Sequence, residues 1–283
     1  MQWHLIPTGR IRVDPGGPFG LVPRALWSRH HTPEEDGLIE MDMHALLIDS
    51  DGETIVVDNG LGDKLSDKAQ RNWGIYYPHG TLLENLAKHG VQPADVDIML
   101  DTHLHSDHCG GNTTIQDGEV VPTFPNAEYI VQRMEFADAM NPDARTRSTY
   151  LKENFEVVWK RGQFRFLHGD TRITSEVRCV VTPGHTRCHQ SVIIEGDENP
   201  ILYSADLATF AVHMARTAWV TAYDVEPLEN IATKQKWQGW ALEHNAILVF
   251  EHDTEIPVGQ LIKNEEGRMA VETVKHPVLD ALT

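Results

Sequence analysis

Short apolar runs, each followed by polar or turn-forming residues, recur along the chain and predict strands joined by loops. Residues 44–58 (HALLIDSDGETIVVD) place two β-rich runs on either side of Ser50-Asp51-Gly52, a pattern typical of a β-hairpin. Other short apolar runs predict buried strands at Ile98–Leu100, Glu128–Val131, Val177–Val181, Ser191–Ile194, Ile201–Tyr203 and Ala246–Phe250.

Two helices are predicted among these strands. Thr81 and Glu84 have the spacing of a capping box at the start of a helix that runs to His89, and Gly90 supplies its stop. A second helix is predicted over Leu228–Glu243. Helices interspersed with strands in this order favour a layered α/β architecture.

No linker divides the sequence. The Pro- and Gly-rich stretch Asp14–Pro23 is short and lies near the N-terminus, so it predicts a loop. We therefore expect one domain over residues 1–283, with an N-terminal loop extension at about residues 14–36.

Composition and charge exclude several classes of protein. The 283 residues carry a formal net charge of −18, whereas phosphate binding requires clustered Lys and Arg, so no nucleic-acid partner is expected. No apolar run approaches the roughly 18 residues of a membrane helix, and the first residues lack the pattern of a signal peptide. The three cysteines are too few for a disulfide framework. We expect a cytoplasmic protein that does not bind a membrane.

The segment DTHLHSDHCGG, residues 101–111, concentrates groups that bind metals. In extended backbone His103 and His105 point the same way and can share one cation, while Asp107 and His108 could face a second one. Imidazole and carboxylate suit zinc, and also iron, cobalt or manganese. A solvated His-rich loop is the alternative, but the dense cluster directly after a buried strand favours a metal site.

Polar residues able to bind a metal also follow three other predicted strands. Val180–Val181 leads to His185, Tyr203 to Asp206, and Val249–Phe250 to His252. Loops at strand ends can converge on one site of a rigid sheet.

These motifs resemble the metallo-β-lactamase superfamily. Its HxHxDH signature and three later ligand motifs are matched in order by His103, His105, Asp107, His108, His185, Asp206 and His252. The resemblance implies an α/β fold, the αββα sandwich, in which two mixed β-sheets are flanked by helices and the site lies at one edge.

The resemblance also implies a dinuclear centre. It assigns His103, His105 and His185 to one divalent metal ion, Asp107, His108 and His252 to the other, and Asp206 to both as a bridge. Zinc is expected, with manganese, cobalt or iron possible. A hydroxide held between the two ions would be the nucleophile, and Asp107 would pass a proton to the leaving group.

A closer likeness lies outside these ligands. Residues 19–27 (FGLVPRALW), Lys64-Leu65 and residues 71–74 (RNWG) are similar to YtnP-type quorum-quenching lactonases, and the methyl parathion hydrolase and dihydrocoumarin hydrolase group is similar too. The resemblance implies a hydrolase that opens the lactone ring of N-acyl homoserine lactones. The alternatives are an organophosphate triester or aryl ester hydrolase on the same site, and a metal-dependent signal-binding protein without turnover.

One departure from the family concerns the substrate carbonyl. Lactonases of this superfamily carry an assisting tyrosine three residues after the bridging aspartate, and Thr209 stands there in this sequence. Tyr223 or His213 could replace it. The residues expected to bind a small lactone or ester substrate are Phe19, Leu21, Leu26, Trp27, Phe210, His213 and Tyr223. The loop that contains Phe19 and Trp27 suits a lid or the contact of a homodimer.

Overall fold

The structure is a computed structural model that describes residues 1–195 and 199–274. In this part of the chain the strands are β1 (Gln2–Val13), β2 (Ile39–Ser50), β3 (Glu53–Val57), β4 (Ile98–Leu100), β5 (Thr113–Gln116), β6 (Glu119–Pro122), β7 (Glu128–Gln132), β8 (Phe164–Leu167), β9 (Thr171–Arg172), β10 (Val177–Val181), β11 (Gln190–Ile194), β12 (Ile201–Tyr203), β13 (Ile247–Val249), β14 (Val258–Lys263) and β15 (Met269–Thr273). The helices are α1 (Gly16–Phe19), α2 (Arg24–Trp27), α3 (Asp67–Trp73), α4 (Leu82–Lys88), α5 (Ser106–Cys109), α6 (Arg133–Met140), α7 (Glu156–Lys160), α8 (Ala211–Ala215) and α9 (Pro227–His244).

Two mixed sheets form the centre of the fold. In the described residues the first sheet has the strand order β1-β2-β3-β4-β7-β8, and the second has the order β15-β14-β13-β12-β11-β10-β9. The predicted hairpin is confirmed, since β2 and β3 pair antiparallel around a turn at Asp51 and Gly52, both with positive φ. β3, β4, β7 and β8 are parallel neighbours, as are β12 and β13.

The two sheets pack face to face over one apolar core. Leu46 and Leu100 of the first sheet lie in the same buried cluster as Val192 and Tyr203 of the second. Burial of such side chains contributes about 1.5–3 kcal/mol each relative to exposure. The sheets are therefore the two inner layers of the fold.

Helices cover the outer faces of both sheets. Leu86 of α4 packs with Met99 of the first sheet, and Trp237 of α9 packs with Leu248 of the second. The order of layers is thus helix, sheet, sheet, helix, which confirms the expected αββα sandwich.

The two predicted helices are also present. Thr81 caps α4 with a capping box to Glu84, as the spacing predicts, and the helix ends before Gly90. α9 begins at Pro227 and ends at His244, and the following residue, Asn245, adopts a left-handed conformation. None of the described helices combines the length and the apolar character needed to cross a bilayer.

The N-terminal segment is more ordered than the predicted loop. It contains the single-turn helices α1 and α2, and the ring of Phe19 stacks on Trp27 with the ring centroids 5.1 Å apart. Both rings are buried, and Phe210 also contacts Phe19. The segment is therefore fixed against the body of the protein by aromatic packing.

Candidate metal centre

Four loops meet at one edge of the sandwich. β4 leads to residues 101–105 and then to α5, while β10, β12 and β13 lead to residues 182–189, 204–206 and 250–253. Because β12 and β13 are parallel neighbours, their carboxyl ends lie side by side and bring Asp206 and His252 together. The topology thus gathers residues that are up to about 150 positions apart in the sequence.

The structure brings all seven expected ligands to this edge. In the described residues, four groups of side chains have ligand atoms that all lie within 4.8 Å of one another. Two of them are His103, His105 and His185, and Asp107, His108 and His252. These are the same two groups that the resemblance implies. Their role as ligands stays a prediction, which the geometry favours.

The Asp206 carboxylate lies between the two groups. Its Oδ2 is 3.1 Å from Nε2 of His185 in one group and 3.1 Å from Nε2 of His108 in the other. Its Oδ1 is 3.6 Å from Nε2 of His252. A carboxylate that faces both groups in this way is suited to bridge two cations.

Two orphaned nitrogen atoms show that the site fits metal ions. Within the described residues, Nε2 of His103 and Nε2 of His105 are buried without any hydrogen-bond partner. A buried polar atom left unpaired costs about 1–3 kcal/mol, a cost that coordination of a cation would remove. Imidazole nitrogens and carboxylate oxygens are also the donors that zinc takes in catalytic sites.

The electrostatics of the site give His103, His105 and Asp206 the protonation states that bind metals. Burial lowers the pKa of His103 and His105 well below its ordinary value, and the neighbouring imidazoles lower it further. Burial alone would raise the pKa of Asp206, but His185 and His252 outweigh it and hold that pKa well below the usual range. His103 and His105 are therefore neutral beside an ionised Asp206. Nearby carboxylates outweigh burial and raise the pKa of His108 and His185, so these two imidazoles would release a proton when they bind a metal ion.

His108 is oriented by two buried carboxylates behind the site. Its Nδ1 lies 3.1 Å from Oδ2 of Asp58 and 2.9 Å from Oε2 of Glu251. Asp58 also accepts hydrogen bonds from the backbone N–H and the hydroxyl of Thr102, both at 2.8 Å. Partners of this kind fix the ring so that Nε2 points into the site.

Two further histidines are held in the same manner. His185 pairs through Nδ1 with Oδ1 of Asp224 at 3.0 Å, and His252 donates from Nδ1 to the backbone oxygen of Asp42 at 2.7 Å. Asp58, Asp224 and Glu251 are supporting residues that the sequence analysis missed. The position of Asp58 directly after β3 is a signal that could have found it, whereas Asp224 follows no strand.

A cavity of about 630 Å³ opens over the site. His105, Asp107, His185 and Asp206 line its floor. One part of its wall is apolar and consists of Ile11, Val13, Leu38, Met41 and Trp73. The polar part of its wall includes Arg12, Arg145, Thr146, Ser148, Thr149 and Tyr223. The volume lies within the range of about 300–1,000 Å³ that is usual for small-molecule sites.

Of the seven predicted substrate-binding residues, the structure places only Tyr223 on the described lining of this cavity. Phe19, Trp27, Phe210 and His213 are buried, and their rings pack together in one aromatic cluster. Leu21 and Leu26 are exposed on the N-terminal segment. The four rings pack against one another instead of lining the cavity. The described lining therefore does not support a direct contact between substrate and these six residues.

Known proteins resemble this chain in sequence and in structure. The family model described as the metallo-beta-lactamase superfamily matches residues 43–259. The N-acyl homoserine lactonase AttM of Rhizobium radiobacter is 27% identical over 231 residues, which are 76% of this chain and 82% of the relative.

Two solved structures extend the comparison to nearly the whole chain. A probable metal-dependent hydrolase from Staphylococcus aureus superposes with a TM-score of 0.86 at 27% identity, covering 97% of each chain. AidC, a dizinc quorum-quenching lactonase in complex with a product, has a TM-score of 0.79 at 18% identity, covering 97% of this chain and 94% of its own. The latter likeness concerns the fold.

Proposed function

Because this chain belongs to the metallo-β-lactamase superfamily, we propose that it is a metal-dependent hydrolase that opens the lactone ring of N-acyl homoserine lactones. The observation that carries the proposal is a carboxylate, Asp206, set between two groups of ligand atoms beneath a partly apolar cavity. The activity named for the relative AttM supports the choice of substrate. Hydrolysis of these signal molecules would quench quorum signalling.

The proposed ligand set follows the two groups of side chains. His103, His105 and His185 would hold one divalent ion, Asp107, His108 and His252 the other, and Asp206 both. Zinc is the proposed metal, because neutral imidazole and carboxylate donors suit it. Two bound cations would supply Lewis acidity and a lowered pKa for water.

We propose that Asp107 transfers the proton of the reaction. Its carboxylate lines the cavity, with Oδ2 3.9 Å from Nε2 of His108, and it is the more exposed of these two side chains. It can therefore take up the proton that the attacking water releases and give it to the ring oxygen that leaves as the lactone opens.

Tyr223 is proposed to bind the substrate carbonyl. Burial raises the pKa of this phenol, so its hydroxyl stays protonated at neutral pH and can donate a hydrogen bond. The hydroxyl lies close over Gly17, where an added Cβ would be only 1.9 Å from the oxygen. Glycine at that position thus leaves the phenol room at the cavity wall.

The apolar wall suits the acyl chain of such a substrate. Trp73, Leu38 and Met41 lie on the same cavity as Asp107 and Asp206, so a chain could pack there while the lactone ring faces the ligands. The aromatic surface of Trp73 and Tyr223 also favours aryl esters and aryl phosphotriesters, which are the second candidate class.

A substrate panel on the metal-loaded protein tests the proposal. It compares kcat/KM for acyl homoserine lactones of several chain lengths, an aryl lactone and an aryl phosphotriester, with His105→Ala as the control for contaminating activity. The acyl homoserine lactones should give the highest kcat/KM. A higher value for the phosphotriester would favour the second class, and lactone binding without ring-opened product would favour a signal-binding protein.

We also propose a cytoplasmic location and a homodimer. All three cysteines are free thiols, which supports a reducing compartment. Leu21, which precedes α2, and Leu26, which lies in it, are both exposed, and we propose that a second copy of the chain covers their apolar surface.

A further inference from the structure

A buried carboxylate on α6 lies outside the proposed ligand set but holds the loops that carry three of the ligands. Oε1 of Glu135 accepts hydrogen bonds from the backbone N–H of Leu104 at 3.1 Å and from the hydroxyl of Tyr150 at 2.8 Å. Its Oε2 accepts from the hydroxyl of Thr186 at 2.6 Å. Glu135 is fully buried, so all three bonds are sheltered from water.

The three donors lie next to the histidines of one group. Leu104 stands between His103 and His105 in the sequence, and Thr186 follows His185. The ring of Tyr150 lies against the ring of His105, with the centroids 4.9 Å apart. A single carboxylate therefore joins the two loops that supply all three imidazoles of this group.

Burial of a carboxylate lowers the stability of the fold, so the presence of Glu135 at this position needs a compensating role. Desolvation disfavours the ionised form of a buried carboxylate, and hydrogen bonds to the charged acceptor offset that cost. An apolar side chain in the same place would avoid this cost but would leave the N–H of Leu104 unpaired. The three bonds of Glu135 fix one loop relative to the other.

We propose that Glu135 is a positioning residue that sets the spacing of His103, His105 and His185 and thereby the affinity of that group for its metal ion. This inference rests on the proposed dinuclear site. Glu135 acts through Leu104 and Thr186, and loss of such supporting hydrogen bonds typically costs 10–100-fold in metal affinity.

Glu251 provides the matched counterpart in the other group. Its Oε2 lies 2.9 Å from Nδ1 of His108, so it supports the side of the site formed by Asp107, His108 and His252. Substitutions of Glu135 and of Glu251 should therefore weaken different binding steps.

The test is a titration of the metal-free full chain with zinc, measured by competition with a chelator of known affinity. The variants His105→Ala and His252→Ala, each of which removes one proposed ligand, assign the two binding steps to the two groups. Glu135→Leu should weaken the step assigned to His105 by about 10–100-fold and leave the other step within a few-fold of the wild type. Glu251→Leu should show the opposite selectivity.

A conservative variant separates positioning from a general loss of structure. Glu135→Gln keeps an oxygen that can accept from Leu104 and Tyr150, while the Thr186 hydroxyl can turn to accept from the amide, so it should recover most of the affinity. Phe136→Leu on the same helix loses ring contacts with Phe155 and Phe166 but no hydrogen bond, and it should leave both steps unchanged. If Glu135→Leu does not fold, Thr186→Val removes a single bond and should weaken the same step several-fold.

The outcomes are distinct. Equal affinities in Glu135→Leu, Thr186→Val and the wild type would overturn the positioning role while leaving the dinuclear site intact. If Glu135→Leu weakens both binding steps equally and Phe136→Leu does the same, the positioning role would also be overturned. The loss of affinity would then follow from a lower stability of the fold. A wild-type chain that binds no zinc would overturn the dinuclear site itself and the positioning role with it.

Discussion

The hydroxyl of Thr209 donates a 2.9 Å hydrogen bond to Oδ1 of Asp206. Thr209 is buried, and the bond turns its hydroxyl toward the carboxylate between the two groups of ligands. It is therefore committed to Asp206 and cannot also serve a substrate carbonyl. The group that assists the carbonyl has to come from another part of the cavity wall, where Tyr223 presents its phenol.

Removal of the Tyr223 hydroxyl should slow the reaction. Tyr223→Phe keeps the ring but takes away the donor, and loss of one hydrogen bond to a developing oxyanion costs about 10²–10³-fold in kcat. We expect kcat to fall in this range with a smaller change in KM, measured by steady-state lactone hydrolysis. Tyr77→Phe, which removes the hydroxyl of an exposed tyrosine, should keep the wild-type kcat. An unaltered kcat in Tyr223→Phe would exclude the assigned role.

Loss of the bridging carboxylate should lower the metal content. Asp206→Ala removes a carboxylate that faces both groups, so we expect one zinc ion or none per chain instead of two. Elemental analysis after gel filtration measures the ratio. Two ions per chain in Asp206→Ala would refute the bridging assignment.

Metal removal should abolish hydrolysis reversibly. Dialysis against a chelator leaves the buried imidazoles without their ions, and addition of zinc, manganese or cobalt should restore the rate to a different extent for each metal. The rate is followed together with elemental analysis of each sample. Full activity in a sample shown to be metal-free would contradict the proposed chemistry.

Two tryptophans should respond differently to substitution. Trp73 lines the apolar wall, so Trp73→Ala should flatten the dependence of kcat/KM on acyl-chain length. Trp27 is buried against Phe19, so Trp27→Ala should lower the free energy of unfolding by about 3–5 kcal/mol and keep the chain-length profile. Denaturant unfolding and a chain-length series measure the two effects. If Trp27→Ala changes the dependence of kcat/KM on chain length and Trp73→Ala does not, the N-terminal segment and not the apolar wall contacts the acyl chain.

Lys234 should make stability depend on pH. Burial lowers the pKa of this lysine to about 8, although Asp224 opposes the shift, and its ammonium group donates to the backbone oxygen of Trp219. Between about pH 8 and the ordinary value of 10.5 the unfolded chain binds a proton that the folded chain lacks, so stability rises with pH by at most about 1.4 kcal/mol per unit.

Denaturant unfolding of the metal-free protein between about pH 7.5 and 10 measures this slope. Lys234→Met should remove the rise, while Lys236→Met, at an exposed position on the same helix, should keep it. Identical slopes in the wild type and Lys234→Met would show that Lys234 does not titrate in this range.

The sequence predicted the elements that have strong local patterns and missed those that do not. The hairpin of β2 and β3 and the capped helix α4 were predicted, since alternation, turn residues and a capping box all lie within a few positions. β1 was missed because Pro7 and Gly9 are residue types that usually form turns. In the structure the strand is at the edge of the sheet, and its register shifts between these two residues.

The same contrast applies to the site. The expected ligands share a short motif or follow apolar strands, so the sequence shows them. Glu135 and Asp224 sit in no such pattern, and their partners Leu104 and His185 are more than 30 positions away. Only the tertiary fold brings these pairs together, which is why the supporting hydrogen bonds could not be predicted from the sequence.

The position of the site at the meeting edge of both sheets has a mechanical consequence. His103 and His108 follow a strand of the first sheet, whereas His185 and His252 follow strands of the second, and Asp206 faces both groups. Ions bound there would cross-link the two sheets, because separation of the sheets would break coordinate bonds. Supply of metal in the cell would then govern the lifetime of the protein as well as its turnover.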